Sequence, residues 1–414
     1  MAVTSYHCRW RNPFELTIVK IAVIATVFRS LSHAHVVLEN FLEPYLFNGR
    51  KIVPDMQVVS MYVDQIPKRD MSRDVAKRYG IQIYPTIAGA LCRGKRRLDV
   101  DAVLLIAEHG QYSFNRLGQK RYPRKQFFDQ IVEVMRRSDR VVPVFVDKHL
   151  SYRWDWAKQM VETGRELGIP LMAGTSVTLA ERRPPLELPR GAEIVEAVSI
   201  HGGPIEAYGF HALELLQSFV ESRRGGETGV VSVESLEGNK LWNGDWSRSL
   251  AEAAMAAELG KAPKSLKRIP GETNAPPQGV VIRYKDGLKA TMLRVGKSDI
   301  RWNFACRIKG ERRPRATSFY VGPWENRNLF KALSHAIQNH FRNGRAPYPV
   351  ERTLLTTGLT DAFMHARQKA GPLATPHLEF AYKAQSFKAM REMGATWKII
   401  TDDTPQPKGI EAVL

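Results

Sequence analysis

Two short stretches bring ionisable side chains to places where a chain should reverse direction. In VVPVFVDKHL (141–150) an apolar run ends on Asp147, Lys148 and His149. An amine delivered at the carboxyl end of a buried strand can bind a hydroxyl and help move its proton. Taken alone, such a lysine also reads as a surface residue. In IHGGPIEAYGFHALELLQ (200–217) two glycines and a proline lead into Glu206, and His211 opens an amphipathic run. Histidine is the side chain that changes charge near neutral pH, so an acid one short step before it raises the question of proton transfer. Upstream, ATVFRSLSHAH (25–35) follows the first apolar run. Arg29, Ser30 and Ser32 are placed there to contact a phosphate. Yet the segment holds no glycine, and the dense backbone cradle of a dinucleotide turn needs glycines. A structural strand–helix turn accounts for it equally well. Asp64 ends the second apolar run, where a carboxylate accepts from ribose hydroxyls or caps a turn. As a ribose ligand it favours NAD over NADP by repelling a 2′-phosphate, with Lys68, Arg69 and Arg73 nearby pulling the other way.

The elements that would hold these residues alternate. IAVIATVF (21–28), MQVVSMYVD (56–64), IQIYP (81–85), VDAVLLIAEHG (100–110), VVPVFVDK (141–148) and IPLMAGTSV (169–177) read as strands. Their continuous apolar character is that of parallel strands covered on both faces. Helices are expected over 72–80, 86–92, 127–138 and 154–168, with Gly80 and Gly168 as carboxyl-terminal caps. This alternation predicts a Rossmann-like parallel sheet built from right-handed crossovers, with ligands at the carboxyl ends of its strands. Beyond the proline-rich ERRPPLELPRGAE (181–193) the pattern changes. Strands at 192–202, 229–238, 279–295 and 300–310 alternate apolar and polar residues, with Asp286-Gly287 as a hairpin turn. They predict a mainly antiparallel sheet open on one face, with helices at 211–223, 328–344 and 350–371 and a loop-rich insertion at 256–278. The expected organisation is an irregular extension (1–19), a Rossmann-like dinucleotide-binding domain (20–177) and an α+β substrate and oligomerisation domain (178–414).

In this order of elements, in DVDAVLLIAEHG and in VPVFVDKHLS…WAKQMVETGRELGIPLMAGTSV, the chain resembles the glucose–fructose oxidoreductase/inositol dehydrogenase family, over roughly residues 20–370. The resemblance implies hydride transfer between NAD or NADP, NAD slightly favoured, and a sugar or cyclitol hydroxyl carbon. Members carry Glu-Lys-Pro where this chain has Asp147-Lys148-His149, so only Lys148 carries over, and His149 stands where a commonly cis proline would shape the turn. Members also show a Gly-Gly stretch, an aspartate, and a histidine four residues on. Gly202, Gly203, Gly209 and His211 match that pattern. Ala207 stands at the aspartate position, and Glu206 falls one residue early, about 100° round a helix. The implied catalytic set is Lys148, His211 and Glu206, with Asp147 or Glu206 tuning the proton relay. The implied cofactor set is Arg29, Ser30, Ser32 and Asp64, with Glu108 and His109 in the loop that approaches the nicotinamide ribose. His201 and His377 line the cleft or, as the stronger reading, pack between domains. The missing glycines and Ala207 also motivate a second expectation, a family member without dehydrogenase turnover that binds a carbohydrate or retains a cofactor structurally.

The formal net charge of +19 raises the question of nucleic acid. The densest basic patches, Arg93–Arg97 and Arg307–Arg315, are interrupted by acids, and no nucleic-acid-binding signature accompanies them. They read as solvated loops, and the charge favours anionic small ligands instead. Cys8, Cys92 and Cys306 form no CxxC pair, which argues against a disulfide framework or structural zinc and for a reducing, cytoplasmic setting. Arg9 and Arg11 before FELTIVKIAVIATVF resemble an export signal, but Glu15 and Lys20 interrupt it and IAVIATV reads as a strand. No run is long and uncharged enough to span a bilayer. The expected partners are a sugar-like substrate and, through the exposed sheet face, further copies of the chain, with no membrane and no metal.

Overall fold

The computed structural model describes residues 18–269 and 276–411. The expected extension over 1–17, with Cys8, Arg9 and Arg11, and residues 270–275 of the expected insertion lie outside them. Six strands form the first sheet: β1 (Val19–Ala25), β2 (Met56–Val63), β3 (Gln82–Ile83), β4 (Ala102–Ile106), β5 (Val144–Asp147) and β6 (Leu171–Gly174). All are parallel, in the order β3-β2-β1-β4-β5-β6. The two-residue period of a strand is visible in the core. Ile21, Val23 and Ala25 of β1 enter one apolar cluster, while Ala22 and Ile24 enter another. Helices α1 (His33–Leu42) and α2 (Ser72–Tyr79) cover the first face; α3 (Ile87–Cys92), α4 (Arg124–Ser138) and α5 (Trp154–Leu167) cover the second. Strand order reverses between β1 and β4, and such a reversal opens a crevice at the strands' carboxyl ends.

The second sheet has eight strands: β7 (Glu181–Arg183), β8 (Ile194–His201), β9 (Val230–Glu237), β10 (Gln278–Tyr284), β11 (Lys289–Arg294), β12 (Trp302–Ile308), β13 (Arg315–Tyr320) and β14 (Leu373–Ala374). Their order is β14-β9-β10-β11-β8-β12-β13-β7, antiparallel except for the β8–β11 pair. Helices α6 (Ile205–Val220), α9 (Asn326–Asn343) and α10 (Val350–Ala366) share the apolar core of one face, where Phe219 stacks on Phe304 at 4.0 Å. On the other face α7 (Gly238–Asn243) and α8 (Arg248–Leu259) cover part of the surface, with Leu250, Ala254 and Met255 in one cluster with Val198, Ile200 and Ala305. The start of the expected insertion is thus the end of a packed helix. Among the described residues, no helix is long and apolar enough to cross a membrane.

Candidate active site

Five strand ends and the starts of α1 and α4 lie along the crevice. Beyond β4 the chain turns through His109 at φ +69, and beyond β5 through Lys148 at φ +59. The left-handed Lys148 makes the turn that the missing proline put in question, and its amide bonds the Gly174 carbonyl at the end of β6, 3.2 Å away. Lys148 Nζ donates to Glu108 Oε1 at 2.8 Å, and Arg124, first residue of α4, donates to Oε2 of the same carboxylate. All three side chains are buried. Burial pushes the Glu108 carboxyl up, and Lys148 and then Arg124 more than reverse this, leaving it well below the usual carboxylate range. Arg124 also lies 3.4 Å from His149 Nε2 and stacks over the Tyr122 ring at 4.8 Å.

His211 arrives from the second layer. Its Nδ1 lies 2.5 Å from Thr175 Oγ1, and Thr175 directly follows the Gly174 that Lys148 bonds. Lys148 and His211 therefore share one crevice through a single turn of backbone. Burial, then the Lys148 charge, push the imidazolium's pKa well below 6.5, so the ring is neutral at pH 7. His33, first residue of α1, bonds Asp147 Oδ2 at 2.7 Å and meets the His109 ring edge-on at 5.1 Å. The acid beside Lys148 is accordingly Glu108, while Asp147 serves His33.

The glycines of the opening stretch have packing reasons. A Cβ on Gly202 would meet the Ser298 backbone at 2.5 Å, and one on Gly203 would meet the Tyr208 ring at 2.3 Å. Gly209 stands inside α6 with the Met292 side chain 3.3 Å from where its Cβ would be. Glu206 and Ala207 therefore lie in the same helix as His211. Glu206 is five residues before it, on another face, and accepts the Lys120 amide at 3.1 Å from the loop between β4 and α4. Burial raises its carboxyl above the usual value, against the Lys120 amide, which pulls it down. Ala207, four residues before His211, is on the histidine's own face.

The expected cofactor residues spread along the crevice. Asp64, exposed at the end of β2, accepts from the hydroxyls of Tyr62 at 2.8 Å and Tyr112 at 2.6 Å. Arg29 and Ser30 are exposed in the turn after β1, whereas Ser32 is buried as the amino-terminal cap of α1, accepting from the amides of Arg29 and His35. Phe28 is fully buried in the core; Leu31 points out at φ +57. Of the two histidines in doubt, His201 is buried and stacks with Trp302, and His377 sits against Trp154 at 5.4 Å. Three contributors escaped the sequence reading. His33 and Arg124 open helices where a polar residue is unremarked, and Thr175 sits in a strand-end run; an apolar run precedes Thr175, and no apolar run leads into Arg124.

No family model matches the chain, and no curated protein does. Solved structures do. GenD2 from gentamicin A biosynthesis, in complex with NAD, aligns with a TM-score of 0.54 at 11% identity over 87% of this chain and 97% of that one. An apo scyllo-inositol dehydrogenase from Lactobacillus casei gives 0.53 at 10% identity over 87% and 98%. An oxidoreductase from Agrobacterium radiobacter, in complex with NAD⁺, L-tartaric acid and magnesium, gives 0.54 at 13% identity over 86% and 98%. At such identities the likeness is one of fold.

Proposed function

Because the chain has the two-sheet fold of these dehydrogenases, we propose that it is an NAD(P)-dependent oxidoreductase acting on a CH–OH group of a sugar- or cyclitol-like substrate. The observation that supports this best is the meeting of the Lys148–Glu108 pair with the His211–Thr175 pair at one strand edge. Two of the neighbours were solved with NAD bound, which supports a nicotinamide cofactor. The residues fit a dinucleotide at its adenosine ribose, where Asp64 is exposed between two phenols, and at its nicotinamide end, beside His109 and Glu108. They fit less well at the pyrophosphate, where the β1–α1 turn offers side chains of Arg29 and Ser30 rather than glycine amides. When bound, the nicotinamide accepts the hydride.

The chain's own residues supply the rest. Lys148 Nζ, fixed by Glu108, donates a hydrogen bond to the reacting hydroxyl. Neutral His211 takes that hydroxyl's proton, with Thr175 setting the ring's orientation. Arg124 keeps Glu108 ionised, and Glu206 ties the 111–122 loop to the mouth of the site. Residues 20–177 then form the cofactor domain and 178–414 the substrate domain, whose sheet face beyond α7 and α8 is the surface for a homo-oligomer. The buried, unpaired thiols of Cys92 and Cys306 suit a cytoplasmic setting.

A second reading has its own support. Ala207 leaves the His211 face without a carboxylate, and the β1–α1 turn directs amides inward, as a protein that binds without turnover would allow. The test is NADH formation from NAD⁺ with inositols, aldoses and hydroxy acids. The expected result is turnover that falls about 10²–10⁴-fold in Lys148→Met and in His211→Asn. Nicotinamide binding with turnover only after Ala207→Asp would select the second reading.

A further inference from the structure

The last described residues cross the turn between β1 and α1. Glu411 Oε1 accepts from Ser30 Oγ at 2.8 Å, and lies 3.5 Å from Arg327 Nη2 and 3.8 Å from His35 Nδ1. Arg327, buried on α9, holds the same segment by its backbone, bonding the carbonyls of Pro407 and, at 3.2 Å, Lys408. Its Nε donates to Glu39 Oε2 at 2.8 Å, and Glu39 Oε1 in turn accepts the Ile410 amide at 3.3 Å. The turn's own donors face inward: Ser32 Oγ accepts the Arg29 amide at 3.2 Å and His35 Nδ1 accepts the Leu31 amide at 2.9 Å. A carboxylate of the chain itself therefore stands on the loop where this fold receives a pyrophosphate. Two anions cannot share that place without strong repulsion.

The segment is held by polar contacts, among them Arg78 Nη1 donating to the Gly409 carbonyl at 3.4 Å, rather than by apolar packing. Trp324 Nε1 bonds the Thr404 carbonyl at 2.9 Å, and from there to Gly409 the residues are exposed or half-buried; Ile410 is the one buried apolar anchor between 401 and 411. Lifting residues 405–411 would expose little apolar surface; it would free Ser30 and release the Arg327 Nη atoms from the segment while Nε stays on Glu39.

We propose that residues 405–411 are an internal gate on the cofactor site: Glu411 occupies the pyrophosphate position, and a dinucleotide enters by displacing it and taking over Ser30 and Arg327. This rests on the reading of the crevice as a dinucleotide site, and it adds a regulation to that site, since whatever holds or releases the segment sets the cofactor's apparent affinity.

The test titrates NADH into the intact chain, into a chain ending at Thr404, and into Glu411→Gln, and follows hydrogen exchange at the Ile410 amide. Truncation should tighten NADH binding about tenfold or more. Glu411→Gln, which keeps Ile410 and the Arg327 backbone bonds, should tighten it several-fold, and it carries the test if the shortened chain folds poorly. Saturating NADH should strip protection from the Ile410 amide of the intact chain. Equal affinity in intact chain and variants, with Ile410 still protected in the complex, would overturn the gate and leave the dinucleotide reading standing. Absence of NADH binding to all three would remove that reading, and the gate with it.

Discussion

At Glu108 two opposing effects act on one carboxyl, and charge prevails over burial. Replacing it by glutamine leaves Lys148 and Arg124 buried without a counter-charge, so Glu108→Gln should destabilise the fold by about 3–5 kcal/mol in denaturant titrations. His211 carries the opposite lesson: burial, then Lys148, hold its pKa well below 6.5. The neutral base is present above that lowered pKa, so the acid limb of the kcat/KM profile should lie well below pH 6.5 and vanish in His211→Asn. One turn further along α6, burial raises Glu214 to about 7, with Thr356 donating to it at 2.6 Å. A raised carboxyl binds its proton more tightly folded than unfolded. Its contribution to stability is therefore full below the ordinary value of 4.5 and is lost as pH rises through about 7. Glu214→Gln should flatten the stability–pH curve in that window, measured by thermal melts. Lys148, Glu108 and His211 were legible because each ends an apolar run or follows a glycine turn. Arg124 was not: RKQFF reads as the exposed start of a helix, and only the fold reveals that Arg124 faces Glu108.

Among the elements, the strands of the first sheet and helices α2, α3 and α5 stood close to where their patterns put them. Gly80 and Gly168 do cap α2 and α5, in the left-handed conformation at φ +67 and +68. Helix α1 was not legible, and its burial says why. Nine of its ten residues are buried between the first sheet and α9, so it presents no polar stripe for a period to reveal. Helix α6 starts six residues before the expected 211, and Gly209 lies inside it, where it makes room for Met292. That shift sets the chemistry, since it puts Glu206 on the loop-facing side and Ala207 on the side of His211. Two substitutions probe these elements. Ser32→Ala removes the cap of α1 and should cost about 1 kcal/mol, and Gly203→Ala drives a methyl into the Tyr208 ring and should cost about 1–3 kcal/mol. Both are read by denaturant midpoints.

For the whole molecule, a parallel first sheet and a mainly antiparallel second one were within reach of the sequence, because buried parallel strands and half-open antiparallel ones differ in their alternation. What the sequence did not offer was the long-range closure: residues 405–411, far from β1 in sequence, lie on its turn, and α9 supplies the arginine that holds them. The net charge of +19 belongs to this scale too. A basic molecule draws in an anionic dinucleotide, so added salt should weaken its capture. The most direct measurement is a fluorescence titration of NADH into the intact chain. The expected result is saturable binding at one site per chain, retained in Lys148→Met and weakened in Asp64→Ala. An unchanged NADH emission in the intact chain, and equally in a chain ending at Thr404, would contradict the assignment of this crevice to a nicotinamide dinucleotide.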